Sequence, residues 1–318
     1  MKQRFIKKVL VLCLVIFAIL FAMAHIVDTG LRKSGMEIYT QWTDIFGGQV
    51  GADVVFSGPS RTQQHISPAI FDSILHVKSY NMGINGWTFN MQYVRFKIYL
   101  EHNKKPKYIV QNVDFDNSAK RKDLYGYEQF FPYINDPEVL KASDQCVGKF
   151  TLAERYFPMF KYNNHFYIIK EGFNCYFNTG YQVKSEIQKG FFYRDIPWDG
   201  TFDEFKKAHP NGISSEISQP ALDEFEGFLK YCKRNDIKVI LDFAPIFYEE
   251  MQMEHNLDTL RGIFRKYAKQ YDIPLLDYTT DSMCYIKKYF YNSQHLNKDG
   301  AILFTTKLAN DLKGIVKP

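Results

Sequence analysis

The chain has 318 residues, 46% of them hydrophobic and 24% charged, so it can bury a large α/β core and does not have the composition of a disordered segment. Of its 40 Lys and Arg residues, Lys2, Arg4, Lys7 and Lys8 precede the first apolar run; what remains is 36 basic against 35 acidic residues, with no basic stripe, which excludes nucleic acid as the expected partner. The five cysteines show no CxxC or Cys/His spacing, which excludes a structural zinc site, and no metal or other cofactor is expected.

Those four charges lead into Val9 to Ala24, an uninterrupted apolar run of 16 residues that His25 breaks before Ile26 and Val27 extend it. The run exceeds the roughly 7–15 residues of a signal-peptide core and falls a little short of an ideal span. Residues 1–27 therefore read as an N-terminal signal anchor, with the basic end cytoplasmic and the bulk of the chain extracytoplasmic. Cleavage after Ala22-Met23-Ala24 is the alternative. Cys13 fills the apolar run. Residues 28–52 read as a short helical connector.

A strand follows at Asp53, where Val54, Val55 and Phe56 are consecutive β-branched or aromatic residues, as in a parallel strand covered on both faces. It stops on Gly58-Pro59-Ser60. The carboxyl end of such a strand is where ligands gather in open α/β sheets, so Ser60 is a candidate nucleophile, with a turn or N-cap serine as the plain alternative. Ser67-Pro68 opens a helix to about His76, and Lys78 to Met82 is a second strand ending in "NMGINGWT". Thr88 to His102 has the length of an amphipathic helix, and "KYIVQNVDF" is a third strand. The alternation specifies a three-layer, doubly wound parallel sheet, with residues 53–118 as its first half.

Residues 119–218 read as an aromatic-rich insertion or cap: 119 to 216 holds 22 aromatics in 98 positions, against 17% in the whole chain. Trp198, with Phe192 and Tyr193, could stack on sugar rings or fill a small satellite core. Cys146 and Cys175 fall in this segment and form the candidate disulfide, with free buried thiols as the alternative. The second half of the sheet domain, 219–318, contains a helix from Pro220 to Asn235, the strand "IKVILDFAP", a helix from His255 to Gln270 and the strand "IPLLDY". Asn297 caps a last helix whose apolar face runs from Ala301 to Leu312. His295 sits in the loop before it, on the edge of the sheet that carries Ser60, where the two can form a nucleophile and base pair.

"FSGPSR", "NMGINGWT", "IVQNVDFDN" and "NSQHLNKDGA" together resemble the four blocks of the SGNH, or GDSL-like, hydrolase family, in particular the membrane-anchored versions found with bacterial envelope-polysaccharide genes. The resemblance covers most of 53–118 and 219–313. It implies Ser60 as nucleophile, His295 as base, and an oxyanion hole from the N–H groups of Ser60 and Gly86. It departs from the family twice. Gly-x-Asn-Asp is absent from the third block, leaving Asn117 or Asp114 as the side-chain oxyanion donor, with Asn112 a poorer choice; a carboxylate there would repel the oxyanion, so Asn117 is preferred. The last block has Asn292 where the family has aspartate, which leaves Asp277 or Asp281 as substitutes. The resemblance implies transfer or hydrolysis of acyl groups, acetyl foremost, on a cell-envelope glycan. Arg61 is a candidate for attracting an acidic polysaccharide, with a structural ion pair as the more common use of such a residue. The alternative is a non-catalytic protein of the same fold that binds or helps assemble such a glycan.

Overall fold

The computed structural model describes residues 2–113 and 115–317. They form two compact units, residues 1–43 with 122–186 and residues 44–121 with 187–318. Of the segment 119–218, the part from 122 to 186 belongs to the first unit and the part from 187 onward to the second.

The second unit is built on five parallel strands: β1 (Val54–Ser57), β2 (Ser79–Asn81), β3 (Tyr108–Asn112), β4 (Lys238–Phe243) and β5 (Leu275–Asp277). Their order, β2-β1-β3-β4-β5, is the flavodoxin-like doubly wound arrangement. Phe56 stands opposite Asn81 and Val110, so β1 lies inside the sheet between β2 and β3, and its carboxyl end opens at the switch point between β1 and β3. Successive side chains of a strand point to opposite faces. Val54, Phe56, Val110 and Ile240 therefore share one core with Phe71 and with Phe304 and Leu308 of the last helix, Lys298–Asp311. On the other face the helices Phe89–His102, Gln219–Arg234 and Leu257–Tyr271 meet through aromatic edges, Phe225 lying 4.8 Å from Phe89 and 5.2 Å from Phe264. The apolar runs of the strands thus have two covers, which is why they do not alternate.

The end of β1 is tight. A Cβ at Gly58 would stand 2.0 Å from Thr62 Oγ1 and 2.8 Å from Asn112 Cβ, so only glycine lets the chain pass β3 and turn at once into the helix Ser60–His65. That helix was not expected from the sequence: six polar residues carry no apolar period. Ser67 does precede Pro68 at the start of Pro68–Leu75, but its side chain caps nothing; its N–H donates to Thr305 Oγ1 at 2.9 Å.

In the first unit the helix Lys2–Leu31 runs well beyond the apolar stretch, about 45 Å at the usual rise. Residues such as Leu10, Leu12 and Leu14 are exposed, whereas Val27, Gly30 and Leu31 pack on the helix Phe166–Phe177. The approach is close enough that a Cβ on Gly30 would fall on the backbone of Gly172. Asp28, at the same level, pairs with Lys161 Nζ at 2.8 Å and accepts from Tyr162 Oη. Of the two alternatives for Cys146 and Cys175, both occur as buried thiols without a bridge: Cys175 Sγ donates to Glu171 Oε1 and Cys146 Sγ to the Ala142 carbonyl.

Candidate active site

Ser60 opens the helix that follows β1, and His295 lies in the loop between β5 and the last helix. Separated by 235 positions, they meet with Ser60 Oγ 2.7 Å from His295 Nε2. His295 Nδ1 is 2.9 Å from Asn292 Oδ1. That oxygen also accepts the backbone N–H groups of His295, at 2.9 Å, and Gln294, at 3.1 Å. Two fixed backbone donors hold the amide with its oxygen toward the ring, because a flip would set an NH₂ against both. Nδ1 therefore carries the proton and Nε2 is left to accept from the Ser60 hydroxyl. An asparagine that presented its NH₂ to the ring would select the wrong tautomer; the loop's own backbone prevents this.

The helix of Ser60 grips this loop at further points that sequence reasoning missed. Gln64 Oε1 accepts from Tyr291 Oη at 2.6 Å, and His65 Nε2 accepts the Leu296 N–H at 3.0 Å. The Tyr291 ring stacks on the His295 ring at 5.4 Å and 11°. The only hint in the sequence was position: Gln64 and His65 are four and five residues beyond the serine, one helical turn on.

The electrostatics of the site oppose a positive imidazole. Burial first, then the guanidinium groups of Arg61 and Arg194, lower the His295 pKa to about 3. Burial, the neighbouring His295 and Arg61 push His65 well down as well. Neither substitute carboxylate faces His295. Asp277 takes Thr279 and Arg265, and Asp281 caps Met283 and pairs with Lys307. Arg61, the candidate for attracting an acidic polysaccharide, is 1% exposed; its charge acts on the two histidines from inside.

The oxyanion candidates differ in how they are engaged. As the first helical residue, Ser60 keeps its N–H outside the intrahelical ladder. Gly86 has φ 72° in the loop after β2, and its carbonyl accepts from Arg121 at 2.6 Å. This loop is drawn to the end of β1 by the Ile84 N–H donating to the Gly58 carbonyl at 2.9 Å. Asn117 is wholly buried, with its Nδ2 donating to the Asn112 carbonyl at 3.1 Å, and Asn112 Nδ2 donates to the Asp242 carboxylate at 3.0 Å. Both amides are thus engaged with the ends of β3 and β4. Asp114 lies outside the described residues. Trp198 is half-buried against Phe247 at 5.1 Å, and Lys287 Nζ stands 4.4 Å over its ring, a position a stacking sugar would have to contest. Among the described residues no group of three metal-ligating side chains occurs.

No protein-family model and no curated protein sequence is similar enough to this chain to count as a match. Among solved structures, the chain is similar to a provisionally described lipolytic protein of the G-D-S-L family from Desulfitobacterium hafniense, at 13% identity and TM-score 0.41, over 81% of this chain and 97% of that one. It is also similar to a GDSL-like lipase from Bacteroides thetaiotaomicron, at 14% identity and TM-score 0.36, over 81% and 87%. A provisionally described acylhydrolase from Bacteroides fragilis has 16% identity and TM-score 0.37, over 82% and 87%. At these values the similarity concerns architecture, and the reading of the site rests on its own geometry.

Proposed function

We propose that the chain is an SGNH-like serine acyl hydrolase or O-acyltransferase acting on ester groups, acetyl foremost, of a cell-envelope glycan. The observation that carries this reading is the continuous relay from Ser60 Oγ through His295 to Asn292 Oδ1 at the carboxyl end of β1. In the reaction Ser60 Oγ bonds to the ester carbonyl carbon and passes its proton to His295 Nε2. The N–H groups at Ser60 and Gly86 are the candidate donors to the oxyanion. The carbon–oxygen bond to the alcohol breaks and His295 returns the proton to the leaving oxygen. Water then attacks the acyl-serine in a hydrolase, or a second hydroxyl in a transferase, and no cofactor enters these steps.

The test is labelling of the full-length chain in detergent with a fluorophosphonate probe. Wild type should react and Ser60→Ala should not. An unlabelled wild type with its fold intact ends the catalytic reading. The low basicity of His295 is the observation that favours the second reading, a non-catalytic protein that holds an envelope glycan. In that case glycan affinity is the same in wild type and Ser60→Ala, and no acyl group is released.

We read the helix Lys2–Leu31 as a retained membrane anchor with the catalytic unit outside the cytoplasm. Support comes from its unbroken helical course past Ala24 and from the burial of Val27, Gly30 and Leu31 within the first unit. Apolar insertion is not screened by salt. The chain should stay with membranes in 1 M salt and keep its N-terminal residues, and a soluble form starting at His25 would contradict this.

A further inference from the structure

Beside His295 the sheet unit opens into a cleft of about 230 Å³, walled by Asn292, Ser293, Gln294, Thr201, Phe205 and Glu250 among others. Glu250, on the short helix Tyr248–Met253, is only 4% exposed. Its Oε1 accepts from Gln294 Nε2 at 2.8 Å, while its Oε2 is buried and has no hydrogen-bond partner among the described residues. A buried acceptor left unpaired bears its full desolvation penalty, and a charged one bears more. A carboxylate kept in that state on the wall of a cleft next to the catalytic pair calls for a ligand that satisfies it.

The chemistry of the group restricts the ligand. An ionised carboxylate only accepts, so whatever enters must donate. The acyl half of an ester has no donor; the alcohol half of an acylated sugar has several, its remaining hydroxyl groups. An ammonium would also donate, but it would stand beside His295, where two guanidinium groups already disfavour positive charge. At about 230 Å³ the space is smaller than the roughly 300–1,000 Å³ of sites that enclose a drug-sized ligand, so it takes one ring and not an oligosaccharide.

We infer that this cleft is the alcohol subsite: one sugar ring of the substrate lies beside His295 and donates a hydroxyl hydrogen bond to Glu250 Oε2, while its ester reaches Ser60. The orientation of the ester rests on the acyl-transfer reading; the demand for a hydroxyl donor does not. In this arrangement the sugar oxygen that leaves the tetrahedral carbon receives its proton from His295, which lines the same cleft.

The full-length chain in detergent provides two independent measurements. In the first, methyl glycosides of glucose, galactose and N-acetylglucosamine are titrated into Ser60→Ala, with and without Glu250→Gln, by calorimetry or saturation-transfer NMR. At least one glycoside should bind in the millimolar range, at least tenfold more weakly once Glu250 is replaced. In the second, kcat/KM is compared for a mono-O-acetylated methyl glycoside and for 4-nitrophenyl acetate, and Glu250→Gln should lower the ratio of the two at least tenfold. Thr201→Trp, a substitution on the exposed rim, should do the same by filling the mouth of the cleft without touching the buried carboxylate. Glycoside binding that is absent in Ser60→Ala, or affinity and ratio unchanged within twofold in both variants, overturns the subsite. If a glycoside binds in a Glu250-dependent manner but neither ester is cleaved and no probe labels Ser60, the subsite stands and the acyl-transfer reading falls.

Discussion

Replacing Asn292 by aspartate should convert a weak base into a competent one. The amide oxygen already lies 2.9 Å from His295 Nδ1 and is held by two backbone N–H groups, so a carboxylate oxygen fits the same cradle and adds a full negative charge. In serine proteases the reverse change costs about 10⁴ in kcat, a figure that includes selection of the wrong imidazole tautomer. Here the tautomer is already correct, so only the charge is missing. A carboxylate in contact raises a histidine pKa by roughly 1–3 units, each worth about 1.4 kcal/mol of differential stabilisation. Depending on how far the imidazolium has formed in the transition state, kcat on 4-nitrophenyl acetate should rise by about ten- to a hundredfold. The acid limb of the pH–rate profile should move with it. In the native chain His295 stays neutral down to about pH 3, so rates should show no histidine limb near pH 6.5. In Asn292→Asp the limb should rise to about pH 4–6, with activity lost below it as the base is protonated. Ser60→Ala in the Asn292→Asp background should abolish the gain. An unchanged rate and profile, with His295 still required, would refute the reasoning and show that another group already carries the charge.

Both His65 and His295 are held neutral well below the ordinary histidine range, so as pH falls through about 6.5 the unfolded chain binds protons that the folded chain refuses. Stability should fall from pH 7 toward pH 4 by up to about 1.4 kcal/mol per pH unit for each histidine; a flat urea midpoint over that window would contradict their burial as neutral rings. His65→Phe leaves the Leu296 N–H without its acceptor and should cost about 1–3 kcal/mol in denaturant titrations while lowering kcat, and His65→Gln, which retains an acceptor, should recover part of both. Gly172→Leu forces a side chain against Val27, whose Cγ1 stands 2.8 Å from the position of a Cβ, and should destabilise the first unit by about 1–3 kcal/mol in detergent, read as a lower melting temperature.

The strands were legible because burial on two faces demands the same residues wherever it occurs: Val54 to Phe56, the "YIV" of β3 and the "VIL" of β4 declare a parallel sheet before any pairing is known. The two ends of the Ser60–His295 pair were legible for a similar reason, since Gly58-Pro59 stops a buried strand and Asn297 opens the last helix, and residues at such junctions fall on one edge of a doubly wound sheet. Long-range side-chain chemistry was not legible. Whether Asn292 offers an oxygen or an NH₂ to His295 depends on two backbone N–H groups whose directions exist only once the loop is folded. That Asn117 is spent on Asn112, that Arg61 acts from the interior, and that Glu250, lining the same cleft as His295, keeps an unpaired oxygen all follow from burial and from partners far away in the chain. Sequence determines which elements form, because periodicity and breakers act over a few residues. The tertiary structure decides what each polar side chain is for, because hydrogen bonds and desolvation depend on neighbours that only packing supplies.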